Sequence, residues 1–215
     1  RSLNGNDSDN SPPFFQKVFD FNNPSQNLIL KYQAAQLEIK QGDNLDAKNK
    51  LENILKQQPE FTEARELLAT VYLNLNQIEK ALKLIELGLK ISPQYPPYIL
   101  SEAKIFAARG QFFKALQLLS SASPPIEQFP EYYQFWAGIY ENLANYRASA
   151  VIYQRLVELN PENGIVWAGL AISLEHLGQK QQAILAYQQA LSQGLDNKIL
   201  EGYSQERLAQ LTRSF

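Results

Sequence analysis

GIVWAGLAISLEHLGQKQQAILAYQQALSQGLDN, residues 164–197, is the stretch on which the fold turns. Trp167, Leu170, Ala171 and Leu174 stand at i, i+3, i+4 and i+7, which places them on one face of a helix. After Gly178 a second apolar stripe follows, formed by Ala183, Tyr187, Ala190 and Leu191. A glycine between two helical patterns suits the left-handed residue that ends a helix. The stretch therefore reads as helix, turn, helix, and each stripe needs a packing partner.

Stepping back from Gly164 in units of 34 residues returns the same pattern without insertion or deletion, giving 28–61, 62–95, 96–129, 130–163 and 164–197. The eighth column reads Ala35, Ala69, Ala103, Ala137 and Ala171, and the twentieth reads Ala47, Ala81, Ala115, Ser149 and Ala183. Small side chains recur there because two helices approach closely only where nothing holds them apart. Tyr133, Trp136, Ala137 and Tyr140 repeat the first-helix stripe one unit earlier. Gly42, Gly110 and Gly178 share the column between helices, and Pro59, Pro93 and Pro161 share one between repeats, where proline stops one helix and opens the next. Two repeats depart from the pattern. The first has Lys31 and Glu38 at positions that are apolar elsewhere. In the third, Glu102 replaces a Leu, and Pro124 and Pro125 should end the second helix early and leave a longer loop through Pro130.

Beyond the repeats, residues 198–215 continue the first-helix register, with Leu208 in the aromatic column, so one more helix is expected as a cap on the fifth repeat. Residues 1–27 read as a polar linker, except that Phe14, Phe15, Val18, Phe19 and Phe21 cluster within it. Those aromatics either pack on the open edge of the first repeat, act as a docking motif for a partner or a neighbouring copy, or belong to a disordered tail. Docking on a neighbouring copy would make residues 14–21 a route to self-association.

Composition excludes several functions. With 20 Lys and Arg against 22 Asp and Glu, the chain has no basic excess with which to neutralise a nucleic-acid backbone. No cysteine is present and His176 is the only histidine, so no thiolate site, histidine cluster or metal centre is expected. No nucleophile and base pair stands out, and the glycines are single helix punctuation with no phosphate-cradling loop. The reading is that of a protein without catalytic residues, cofactor or small-molecule substrate. No run of 18 apolar residues occurs, so membrane association is expected only through an anchor outside these residues.

The 34-residue pattern resembles the tetratricopeptide repeat, whose W-x₂-L-G-x₂-Y…A-x₃-F signature is approached by W-x₂-L-A-x₂-L…A-x₃-Y from Trp167 to Tyr187. The resemblance spans residues 28–197. It implies an all-α fold, a right-handed α-solenoid of five helix pairs plus a C-terminal capping helix, whose first helices line a groove for a peptide or helix. Carried onto this chain, the groove columns and their neighbours supply Tyr32, Gln36, Ile39, Glu66, Thr70, Leu73, Leu100, Lys104, Gln134, Phe135, Glu141, Ile172, Glu175 and His176. Members that clamp a terminal carboxylate use Lys, Asn and Arg in that groove. Here Tyr32, Gln36, Glu66 and Leu100 stand in those places, which argues against such a clamp.

Residues 124–191, with PP before EYY, the VWAGLAISLE segment and AYQQAL, followed by SQERLAQL, resemble MshN-type proteins of type IV (mannose-sensitive haemagglutinin) pilus biogenesis. That resemblance implies a periplasmic domain carried by an inner-membrane anchor, with a protein of the pilus or envelope machinery as partner. The alternative expectation is a cytoplasmic, chaperone-like adaptor that holds unfolded or secreted chains.

Overall fold

The computed structural model describes residues 24–213. Among these residues lie eleven α-helices and no strand: α1 (Pro24–Gln41), α2 (Asn44–Gln57), α3 (Thr62–Asn74), α4 (Ile78–Ile91), α5 (Pro96–Ala108), α6 (Phe112–Leu119), α7 (Pro130–Asn142), α8 (Tyr146–Leu159), α9 (Gly164–His176), α10 (Lys180–Gln193) and α11 (Lys198–Arg213). The all-α expectation holds. Each 34-residue segment supplies one helix pair, and α11 follows the last. The candidate docking residues Phe14, Phe15, Phe19 and Phe21 lie outside the described residues.

Helix boundaries follow the punctuation, with one correction. The first helix begins at Pro24, inside the stretch read as linker, rather than at Leu28. Proline has the fixed φ of a first helical turn and lacks an N–H that would be unpaired there, and Pro96 and Pro130 open α5 and α7 in the same way. The turn between paired helices shows a stronger regularity than the glycines alone. Gly42, Asn76, Gly110, Ala144 and Gly178 occupy one column, and all five have positive φ, including the two that are not glycine. In the third repeat α6 has only eight residues, ending well before Pro124. The loop that follows is tied down from α7, where the Tyr132 hydroxyl donates to the Leu119 carbonyl at 2.6 Å and that of Tyr133 to the Pro124 carbonyl at 2.7 Å.

The chain divides into two compact units, one ending at Leu84 and the other running from Ile85. In the first unit Leu28, Ala35, Ala47, Leu51, Ile54, Ala64, Leu68 and Val71 form one buried cluster. Glu38, at a position that is apolar elsewhere, pairs with Lys50 across α1 and α2. In the second unit α5, α6 and α7 enclose Ile99, Ala103, Ala115, Leu119, Tyr132 and Ile139. Further along, Ala137, Tyr153, Leu156, Val166, Leu170, Ala171, Ala183 and Tyr187 make another cluster, against which Leu208 and Leu211 of α11 pack as a cap should. The small columns are buried where paired helices meet. Gly169 permits an especially close approach, since a Cβ there would sit 2.6 Å from Cε2 of Tyr153.

Two residues of the fourth column, Trp167 and Arg65, make the same hydrogen bond. Trp167 donates its indole N–H to the Pro161 carbonyl, six residues earlier, at 2.8 Å. Arg65 makes the corresponding bond to Pro59 with its guanidinium. The donor is reproduced, but a charged group is now buried, and its Nε and Nη1 have no hydrogen-bond partner. Such atoms lose their hydration without replacement, which costs stability.

Candidate functional site

In the first unit, Tyr32, Gln36 and Ile39 stand on α1, while Glu66, Thr70 and Leu73 stand on α3. Tyr32 packs on Phe61 with ring centroids 5.2 Å apart, and the Gln36 amide donates to its hydroxyl at 3.2 Å. Burial raises the Tyr32 pKa, and the nearby carboxylates Glu66 and Glu63 push it further up. The Glu66 and Glu63 carboxylates on α3 are thus close enough to Tyr32 to act on its charge. Thr70 turns its hydroxyl to the Glu66 carbonyl at 3.2 Å, Ile39 packs on the core, and Leu73 is half-buried.

In the second unit, α5 and α7 border a recess of about 560 Å³ lined by Lys104, Ala107, Phe112, Glu131, Gln134, Phe135, Gly138, Ile139, Asn142 and Tyr153. Three candidates, Lys104, Gln134 and Phe135, meet there. The Lys104 ammonium lies 5.9 Å from the centre of the Phe135 ring, a cation–π arrangement. The walls combine two Phe rings and a Tyr with two amides and one charge of each sign. Such a surface can hold a backbone by hydrogen bonds and an apolar side chain by burial. Leu100 lies outside the recess, packed against the α5–α7 core, and Ile172 packs on the core around Tyr187.

Two candidates are engaged inside the fold. Glu141 and Glu175 were expected to offer carboxylates to a partner, yet both share one internal arrangement. Glu141 on α7 is hydrogen-bonded to Tyr153, twelve residues later on α8, and its Oε1 lies 2.9 Å from the Ser173 hydroxyl on α9. Ser173 also meets the Ser149 hydroxyl at 3.0 Å. Glu175 on α9 accepts from the Tyr187 hydroxyl at 2.8 Å, again twelve residues later, and is clamped by Arg207 of α11, whose Nε lies 3.0 and 3.2 Å from its two oxygens. Both third partners stand 32 residues beyond their glutamate.

The same geometry shifts the two acids in opposite directions. Around Glu141 the partners are neutral, so burial dominates and raises its pKa from 4.5 to about 7, with the Ser173 and Tyr153 hydrogen bonds only partly offsetting it. Burial also acts to raise Glu175, but the hydrogen bonds from Arg207 and Tyr187 and the Arg207 charge outweigh it, and the net shift is downward. Single-column reading missed this because it treated Glu as groove and Tyr as core. A paired reading was available: Glu in the twelfth column and Tyr in the twenty-fourth occur together in the fourth and fifth repeats only. His176 is exposed, as a solvated residue would be, but its ring stacks on Tyr146 at 4.0 Å and 4°, a contact the sequence did not indicate.

Among the described residues no cluster of His, Cys, Asp and Glu has the makings of a metal site, and no helix is long and apolar enough to cross a membrane. Tetratricopeptide-repeat profiles match residues 38–105 and 126–197. The chain belongs to the tetratricopeptide-repeat family. Among curated proteins it is 26% identical over 172 residues to TPR repeat-containing protein YpiA of Bacillus subtilis, covering 79% of this chain and 41% of that protein. It is also 26% identical over 168 residues to mouse Protein O-mannosyl-transferase TMTC1, covering 75% of this chain and 17% of the transferase. The chain thus spans less than half the length of either relative. Among solved structures, Pseudomonas aeruginosa pilF superposes with a TM-score of 0.74 at 14% identity, covering 87% of this chain and 89% of that one. PilW, described as a widely conserved type IV pilus biogenesis factor, superposes at 0.69 with 17% identity, covering 88% and 90%. At these identities the likeness is one of fold.

Proposed function

We propose that this tetratricopeptide-repeat chain is a non-enzymatic scaffold that docks a segment or helix of a partner protein on its first-helix surface during assembly of a type IV pilus or related envelope machine. The observation that carries the docking reading is the recess between α5 and α7, where Lys104, Gln134 and Phe135 converge with Phe112, Asn142 and Tyr153. Its mixture of rings and amides suits an extended segment that supplies backbone polar groups and an apolar anchor. The pilus assignment draws on the resemblance of residues 124–191 to MshN-type proteins and on fold likeness to pilF and PilW. A periplasmic setting belongs to the same reading.

Titration of the purified chain with overlapping peptides from pilus-assembly proteins tests it. One peptide should bind at one-to-one stoichiometry, and Lys104→Glu with Gln134→Ala should weaken it at least tenfold while circular dichroism is unchanged. Binding that is indifferent to these substitutions refutes the site. Weak binding of many unrelated unfolded chains, with no preferred peptide, would favour the chaperone-like adaptor instead.

A further inference from the structure

The second helices of the last two repeats differ from the earlier ones in the twenty-second column. It reads Asn49, Lys83, Gln117, Val151 and Leu185, polar in three repeats and aliphatic in two. Val151 on α8 is 67% exposed and Leu185 on α10 is 62% exposed, so burial in the core accounts for neither. Between them α9 packs against both helices. The three helices border a groove of about 930 Å³, larger than the recess between α5 and α7 and sharing no lining residue with it.

Floor and rim of this groove differ in chemistry. Ala150, Leu170 and Ala186 are buried and Leu174 is half-buried, while Gln154, Gln182 and Gln189 are exposed at the rim. The Trp167 indole N–H, which also lines the groove, is already committed to the Pro161 carbonyl. An extended segment pressed onto such a floor would leave backbone groups without partners, whereas a helix brings its backbone hydrogen bonds with it. Length agrees with a helix. From Arg147 to Gln154 along α8, and from Gln182 to Gln189 along α10, the walls run about 10 Å, or two helical turns. An apolar stripe at i, i+3 or i+4, and i+7 covers the same distance.

Charge sets the other requirement. Arg147 is the one charged residue among those lining the groove. It is exposed and forms no hydrogen bond or ion pair with another described residue. It stands in the first turn of α8, and the first turns of α8 and α10 carry no acid, whereas α2 and α4 have Asp46 and Glu79 there. A cation placed where the helix dipole is already positive leaves that end of the groove electropositive, and a carboxylate is the complementary group.

The geometry points to a second docking surface, on α8, α9 and α10, whose occupant is an amphipathic helix of another protein. That helix has an apolar stripe about two turns long and an Asp or Glu at the end that meets Arg147. Because the recess between α5 and α7 stays open, one chain can hold two proteins at once.

Two capped helical peptides of about 14 residues test this by fluorescence anisotropy, one with the apolar stripe flanked by Glu at both ends and one flanked by Lys. The Glu-flanked peptide should bind at one-to-one stoichiometry and at least about tenfold more tightly than the other. Val151→Lys with Leu185→Lys should weaken it at least about tenfold with circular dichroism unchanged, since Lys83 already occupies this column in the second repeat. Arg147→Glu should reverse the preference between the peptides, and Lys104→Glu with Gln134→Ala should leave the affinity unchanged. Failure of the Glu-flanked peptide to bind, equal affinity for both peptides, or indifference to the α8 and α10 substitutions overturns the inference. Loss of binding in the Lys104 and Gln134 variant overturns it in favour of the α5–α7 recess. Dimerisation of the chain alone in light scattering, abolished by Val151→Lys with Leu185→Lys, overturns it in favour of a second copy as occupant.

Discussion

Replacing Glu141 with Gln should convert a pH-dependent stability into a flatter one. In the folded chain the Glu141 carboxyl has a pKa of about 7 against an ordinary value of 4.5, chiefly because it is buried among neutral partners. The folded state therefore holds the proton more tightly than the unfolded chain. Its contribution is fully present below about pH 4.5, declines as pH rises, and is lost above about pH 7. At 1.36 kcal/mol per unit the shift would correspond to about 3 kcal/mol, and solvent screening of a half-buried group reduces that to about 1–2 kcal/mol. Glu141→Gln keeps the shape and hydrogen-bonding capacity and removes the ionisation. Relative to wild type, the variant should gain about 1–2 kcal/mol between pH 5 and pH 8. Trp136 and Trp167, the chain's two tryptophans, both lie beyond Ile85, so urea unfolding followed by tryptophan emission reports on the second unit alone. Glu175→Gln provides a contrast of opposite sign. The Glu175 pKa is lowered, so its contribution is present above the ordinary carboxylate range and fades as pH falls through the folded value, and the variant should be most destabilised near neutral pH. A difference between Glu141→Gln and wild type that stays constant from pH 5 to pH 8, or that shrinks as pH rises, refutes the argument.

Two further substitutions test the column logic. Arg65→Trp places an indole N–H where Trp167 has one, keeps the bond to the Pro59 carbonyl, and removes a buried charge with two unpartnered nitrogens; it should stabilise the first unit by about 1–2 kcal/mol in thermal melts followed by circular dichroism, and destabilisation would count against the comparison. Ala144 has a φ of +54° in a column where Gly is otherwise favoured, so Ala144→Gly should gain roughly 0.5–1 kcal/mol in urea unfolding of the second unit, whereas a loss would show that the left-handed turn carries no strain.

Much of the helical plan was legible because it rests on spacing. A period of 34 fixes which residues share a column, and a column that reads Ala or Ser five times states where helices touch. The early end of α6 was equally readable, since two prolines remove donors and impose an extended preceding residue. What escaped the sequence depends on relations between columns. The tie from Glu141 to Tyr153 and Ser173 joins three helices and is visible only when columns twelve and twenty-four are read together. The left-handed turn at Ala144 went unnoticed because alanine does not advertise positive φ, and that at Asn76 because the column was read for glycine alone although Asn also tolerates that region. The start of α1 at Pro24 was missed for a simpler reason, as the polar Ser25, Gln26 and Asn27 mask a helix whose first turn needs no apolar residue. Of the candidate interaction residues, Lys104, Gln134 and Phe135 lie together, while Glu175 turns out to fasten the C-terminal helix.

The repeated glutamate and tyrosine pair also bears on how such an array lengthens. The fifth repeat presents Ser173 toward the glutamate before it and Glu175 toward whatever follows. A tandem copy of residues 164–197 would therefore find a matching surface on both sides, with the inserted serine meeting Glu175 and the inserted glutamate meeting Arg207. In such a copy the original Glu175 would exchange a guanidinium for a hydroxyl, the kind of partner that Glu141 has in Ser173. Growth by duplication at this point would reuse the glutamate–hydroxyl tie that already joins the fourth and fifth repeats.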